Sequence, residues 1–277
     1  MASFDTIHRG GEERILACLP RTVGVGQLFK VFADQFPVLK RDQLRPMTTN
    51  AQIRDYVDRQ RAWSFDLDQN GAGACGAFSA AETVHQCDHY AGGLVEPRAA
   101  GRLYLYSGHG EDNGSTLSDN LKYAVQYGIP VKESREQEMD YQSPWTEHEK
   151  LTAKTGKILA ACDCPDFDSM LTALDRGWAV QHGLNCGRNY DVDDTGLWIG
   201  RPRGSSGGHA QCSVPCGVCY VNGEWGLLTH GSWSSSFGYF GYYVIPEAYF
   251  APADFTDGWA CRFVVAGGDD PAPPKEL

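Results

Sequence analysis

No stretch of the 277-residue chain approaches the ~20 consecutive apolar residues that a membrane-spanning helix needs. The first twenty residues, MASFDTIHRGGEERILACLP, carry no apolar core behind a basic start, so they do not read as an export signal. Basic residues are scarce. The 24 Lys and Arg stand against 35 Asp and Glu, a net charge of −11. Nucleic acid is held through basic faces, so neither DNA nor RNA is the expected partner. Low-complexity segments and internal repeats are absent as well.

What is present is ordinary globular material. Apolar residues make up 42% and charged residues 21%, too apolar for a disordered chain. The length suits one large domain or two closely packed lobes. Ten cysteines would suggest disulfides in an exported protein; with no export signal they read mostly as reduced thiols. Helical signals dominate the first half: Gln27–Phe36, Asn50–Arg61, a helix opening at Cys75, and Leu117–Tyr127 after the turn EDNGS. Residues 133–150 are charged and read as loop. Lys157–Cys162 and Trp178–Leu184 read as strands flanking a helix over Asp166–Asp175. A long polar loop fills 186–208, and from His209 onward the pattern is β. Asn222-Gly223 marks a hairpin turn, and Gly241–Ile245 and Ala260–Val265 are further strands. Pro215 would interrupt a central strand, so a bulge or an edge is expected there. The fold class is therefore α+β in two lobes.

Three patterns carry chemistry. The first is Gln69-Asn-Gly-Ala-Gly-Ala-Cys75-Gly-Ala-Phe-Ser79. A Gly-rich loop delivers Cys75 to the first turn of a helix, where the unpaired N–H groups and the helix dipole favour a thiolate. Gln69 and the Cys75 N–H are candidate oxyanion donors. The second is Gly207-Gly208-His209-Ala210, where His209 lies 134 residues after Cys75 and opens an apolar run. An imidazole there is a candidate base for the thiol. The third is Gly231-Ser232-Trp233-Ser-Ser-Ser-Phe237-Gly238-Tyr-Phe-Gly241-Tyr242.

Together these resemble the papain-like (C1) cysteine peptidase family, over residues 69–242. Gln69, Cys75, Ala77, Phe78 and Ser79 match the nucleophile motif in spacing. Ser232, Trp233, Gly238, Gly241 and Tyr242 match the Asn-Ser-Trp-Gly block that follows the histidine. Asn113 and Gly114 stand where the family pairs its backbone with an extended substrate. The resemblance implies a two-lobe fold, with a helical lobe carrying the nucleophile and a β-barrel-like lobe carrying the histidine. It implies peptide hydrolysis by Cys75 and His209 with Gln69 in the oxyanion hole. Substrate would lie along Asn113, Gly114, Gly208 and Ala210, with Trp233 shielding the site from water. No cofactor or metal is implied, and the partner would be a polypeptide.

The chain departs from the pattern at three places. Ala72 replaces a family Cys, Gly76 replaces the Trp after the nucleophile, and Gly231 replaces the Asn that orients the histidine. A water, a backbone carbonyl or His230 is a candidate substitute orienting group. The glycine at 231 also supports an alternative: a weak or inactive papain-fold module, serving as a binding or structural part of a larger, for instance viral, assembly. An NlpC/P60-type amidase, which also sets a Cys at a helix start, fits the Gln69 and Ser232-Trp233 matches less well. The expected domains are an extension over 1–60 with no recognisable inhibitory propeptide, lobes over 61–155 and 156–266, and a flexible tail over 267–277. The expected location is cytoplasmic or virion-associated. Cys212, Cys216 and Cys219, with Cys162 and Cys164, are read as buried structural thiols rather than metal ligands.

Overall fold

The computed structural model describes residues 5–9, 12–16, 18–19, 30–108, 110–204, 206–251 and 255–262. The tail at 267–277, the start of the helix expected over Gln27–Phe36 and the end of the strand expected over Ala260–Val265 lie outside them; of that expected helix, Lys30–Val31 is instead a strand paired with Cys162–Asp163, and only Phe32–Gln35 is helical.

In chain order the elements begin with β1 (Asp5–Arg9), β2 (Glu12–Leu16), β3 (Cys18–Leu19), β4 (Lys30–Val31) and α1 (Phe32–Gln35). A helical stretch follows: α2 (Asn50–Gln60), α3 (Cys75–Tyr90), α4 (Ala100–Ser107), β5 (Ser115–Thr116), α5 (Leu117–Gln126), α6 (Arg135–Met139) and α7 (Glu147–Ala153). The remainder is largely strand: β6 (Ala160–Asp163), α8 (Phe167–Asp175), β7 (Ala179–Asn185), β8 (Gly208–Val221), β9 (Glu224–His230), β10 (Tyr242–Pro246) and β11 (Phe255–Arg262).

Seven strands form one sheet in the order β10-β9-β8-β7-β11-β6-β4, antiparallel except for the last pair. Alternation along β7 sends its side chains to two cores. Val180 and Leu184 join α8, through Met170, Leu171 and Leu174, in one apolar cluster. Ala179 faces the other way, into a cluster with α3, α4 and α5. Helix α3 lies at the centre of that second core, with every residue from Cys75 to Cys87 buried. Its small and unbranched residues (Ala77, Ala80, Ala81, Glu82, Gln86) favour helix and let it lie close to the sheet.

The sequence expectations hold for α2, α3, α5, α8 and the β8–β9 hairpin. Asn222 and Gly223 both take positive φ, 53° and 82°, as a tight hairpin turn requires. The irregularity expected at Pro215 is a break in the β8–β9 register between Ser213 and Val218, with Cys216 at φ 57°. Residues 133–150 differ from the loop expected there. Two short helices form, each opened by a capping hydroxyl: Ser134 accepts from the Gln137 N–H, and Thr146 from the Glu149 N–H. Helix α4 has no side-chain cap, and no sequence signal marked it.

The N-terminal segment adds something that the sequence did not show. Strand β3 pairs in parallel with β5, Cys18 opposite Ser115 and Leu19 opposite Thr116, and it also packs on β8. It therefore bridges the helical half and the sheet, next to Asn113-Gly114.

Candidate active site

The segment Asp66–Gln69 is zipped to Ser232–Ser235. The Gln69 N–H donates to the Ser232 carbonyl (3.0 Å), Ser234 N–H to the Leu67 carbonyl (2.9 Å) and Ser235 N–H to Asp66 Oδ1 (2.6 Å). The loop then turns sharply at Asn70 (φ 47°) and Gly71 (φ 79°), with Asn70 N–H closing on Asp68 Oδ1. It is pinned again where Gly73 N–H donates to Asp112 Oδ1 (2.7 Å). These ties deliver Cys75 as the first residue of α3, wholly buried, with no acidic residue in the first turn to oppose a thiolate.

Gln69 is held at both ends of its amide. Ser232 Oγ donates to its Oε1 (2.6 Å), and its Nε2 donates to the Ala72 carbonyl (2.7 Å). The residue after Ser232 is Trp233, whose ring stacks on His209 with centroids 4.4 Å apart at 23°. One connected set thus runs Gln69, Ser232, Trp233, His209, and Cys75 follows Gln69 by six residues along the pinned loop. His209 is fully buried near the start of β8. Ala210, next in the strand, belongs to the same apolar cluster as Cys75. Gln181 of the neighbouring strand donates to the Gly76 carbonyl (3.1 Å), fixing α3 against the sheet.

On the other side, Tyr104 links the two loops. Its hydroxyl donates to Asp112 Oδ1 (3.1 Å) and accepts from Gly114 N–H (2.8 Å). Gly114 (φ 77°) is buried beside the loop that leads into Cys75, and Asn113 is exposed. Gly208 lies half-buried at the mouth of β8.

Each glycine departure has a side chain in its place. A Cβ at Gly76 would overlap Asn120 Nδ2, which donates to Ser115 Oγ (2.8 Å) and the Thr116 carbonyl (2.7 Å). A Cβ at Gly231 would overlap the Tyr243 hydroxyl. His230 is not brought to His209. It sits opposite Cys212 in the β8–β9 ladder, three residues on from His209, so the two imidazoles leave opposite faces of the strand. Its Nδ1 lies 3.0 Å from Glu82 Oε1, and its ring stacks on Tyr242. The candidate role of His230 in orienting His209 is therefore not supported by its position. Sequence reasoning did not find Ser232's tie to Gln69, nor Tyr243, Asn120 or Tyr104.

Burial pushes Cys164, Cys212, Cys219 and Cys261 well above the usual thiol range, which makes them poor nucleophiles. Among the described residues no cluster of three His, Cys, Asp or Glu is placed to hold a metal, and no helix is long and apolar enough to cross a membrane.

This architecture, helices in one half and a largely antiparallel sheet in the other, is the papain-like fold. The chain is similar to xylellain, a cysteine protease from Xylella fastidiosa, at 17% identity and a TM-score of 0.62, covering 89% of this chain and 99% of that one. It is also similar to digestive procathepsin L 3 of Tenebrio molitor (17% identity, TM-score 0.59, 86% and 77% covered). Bromelain from Ananas comosus, in complex with the E64 inhibitor, aligns at 17% identity and a TM-score of 0.57, with 74% and 97% covered. No protein-family profile and no curated protein matches the sequence.

Proposed function

We propose that the chain is a papain-type thiol peptidase that hydrolyses peptide bonds through Cys75 and His209. The observation that carries this reading is the connected set around the helix start. Ser232 holds Gln69 at 2.6 Å, and the adjacent Trp233 holds His209 by stacking. Among the similar structures, xylellain is named a cysteine protease and bromelain a protease, which supports the same reading.

The Cys75 thiol gives its proton to His209, and the thiolate attacks the substrate carbonyl carbon. The oxyanion accepts from the Cys75 backbone N–H and Gln69 Nε2. The imidazolium returns the proton to the leaving amine, and the thioester remains on Cys75. Water, deprotonated by His209, then hydrolyses the thioester and frees the acid. Trp233 keeps bulk water from the imidazole. The substrate is an extended polypeptide whose backbone pairs at Asn113-Gly114 and passes Gly208 and Ala210.

The test is hydrolysis of a mixed peptide library followed by mass spectrometry. The wild type should cleave amide bonds, and Cys75→Ala should cleave none. Equal product in both would refute the assignment.

A further inference from the structure

One chain of hydrogen bonds joins the loop before Cys75 to the segment at Asn113-Gly114. The Gly114 N–H donates to the Tyr104 hydroxyl (2.8 Å), and that hydroxyl donates to Asp112 Oδ1 (3.1 Å). The same carboxylate oxygen accepts from the Gly73 N–H (2.7 Å). Gly73 stands two residues before Cys75, whose backbone N–H is the expected oxyanion donor.

The middle of this chain is rigidly held. Tyr104 is fully buried on α4, in the apolar cluster that also contains Cys75. Its ring fills the space over Gly108, where a Cβ would overlap ring carbons at 2.6 and 2.8 Å, and it meets Tyr141 edge-on at 5.3 Å. Burial chiefly, then the Asp112 charge, pushes the phenol up, so it keeps its hydrogen for Asp112. At the far end, Gly114 is buried with φ 77°. The next two residues, Ser115 and Thr116, take an extended chain along their edge, since β3 pairs with them in parallel. The segment thus meets an extended backbone at one place and the Tyr104 hydroxyl at the next.

We propose that Tyr104 is a positioning residue that couples occupancy of the Asn113-Gly114 segment to the geometry of the Cys75 loop, which makes the substrate class an extended peptide rather than a short amide. The inference rests on the peptidase reading above. A peptide paired along the segment fixes Gly114, and with it the N–H that the hydroxyl accepts. A hydroxyl that accepts a hydrogen bond donates a stronger one, so the contacts to Asp112 and Gly73 tighten together. The Cys75 N–H is then held where the oxyanion forms. Binding energy from residues distant from the cleaved bond therefore appears in kcat.

The experiment measures kcat and KM for peptides cut back from a sequence that the wild type cleaves, each with the same cleaved bond and fewer residues on its acyl side. It uses wild type, Tyr104→Phe, Asp112→Asn and Asp112→Ala. Phenylalanine keeps the ring over Gly108 and removes the hydroxyl. In the wild type kcat should rise about tenfold from the shortest peptide to the longest, the order of one hydrogen bond. In Tyr104→Phe KM should still fall with length while kcat stays flat. Asp112→Asn keeps a carbonyl oxygen for Tyr104 and Gly73 and should retain the rise; Asp112→Ala should lose it. A merely structural tyrosine would lower kcat at every length alike. A rise preserved in Tyr104→Phe, or no rise in the wild type, would overturn the proposal. Hydrogen exchange at the Gly73 amide reads the same chain without hydrolysis: Tyr104→Phe should speed it, although Asp112 stands between the two residues. Failure of the wild type to cleave any peptide would instead overturn the peptidase reading. Gly73 exchange would then decide the link from Tyr104 to the loop alone, an unchanged rate refuting it.

Discussion

Single residues decide how this site differs from the pattern that its sequence resembles. Two positions that should carry large or polar side chains are glycine, and each is occupied from elsewhere: Asn120 over Gly76 and Tyr243 over Gly231. The sequence showed the two gaps but not what fills them. Asn120 and Tyr243 come from separate elements and carry no local signature. Ser232 is a similar case. The Ser-Trp pair was legible as a match, but the bond from Ser232 to Gln69 spans 163 residues of chain and appears only in the fold. Ser232→Ala should release the Gln69 carbonyl end and let its amide swing. Steady-state kinetics on a cleaved peptide should then show kcat lowered about tenfold with KM little changed, since an oxyanion donor acts in the transition state. A change confined to KM would place Ser232 in substrate binding instead.

Among the elements, α3 carries more than Cys75 at its start. Two turns in, Glu82 is fully buried; it accepts from Gln86 Nε2 (2.7 Å) and His85 Nδ1 (3.2 Å), and His230 Nδ1 lies 3.0 Å away. The Arg98 N–H donates to His85 Nε2 (3.1 Å), so the hydrogen of His85 sits on Nδ1 and points to Glu82. Burial pushes the Glu82 carboxyl up, but the His230 and His85 imidazoles more than offset it, leaving it lowered from 4.5 to about 2. This network fastens α3 to β9, and thereby the helix start to the sheet that carries His209. Glu82→Ala should destabilise the fold by about 3–5 kcal/mol in urea melts, because it strands buried polar partners. A carboxyl depressed in the folded state contributes its stability above its unfolded value and loses it as pH falls. The gap between wild type and Glu82→Gln in thermal melts should therefore shrink as pH drops from about 4.5 to about 2. A gap constant with pH would contradict the ionised assignment. Elements with a strong local signal were legible in the sequence. Thr49 caps α2, Asp166 caps α8, and Asn-Gly turns the hairpin. Helix α4, starting at an uncapped Ala99 and reading Leu-Tyr-Leu-Tyr, has no helical period to detect.

For the whole molecule, the two-lobe α+β plan follows from helical signals clustering before residue 155 and strand signals after it. What the pattern could not supply was the path of the N-terminal segment. Residues 1–60 gave no sign of an inhibitory element, yet β3 lies along β5 and against β8, beside the backbone expected to take substrate. An extended chain paired there competes with an extended peptide. Cutting the folded protein between Leu19 and Lys30 and removing the released segment should raise the rate of peptide hydrolysis. An unchanged rate in a progress curve would mean that β3 does not obstruct the cleft. Activation of a Cys75 thiolate by His209 is read out by intact-mass labelling with a thiol-directed epoxide in wild type, Cys75→Ala and His209→Ala. One adduct is expected in the wild type, none in Cys75→Ala and slow labelling in His209→Ala. No epoxide adduct at a Cys75 that iodoacetamide still reaches would show an accessible thiol without activation and would contradict it.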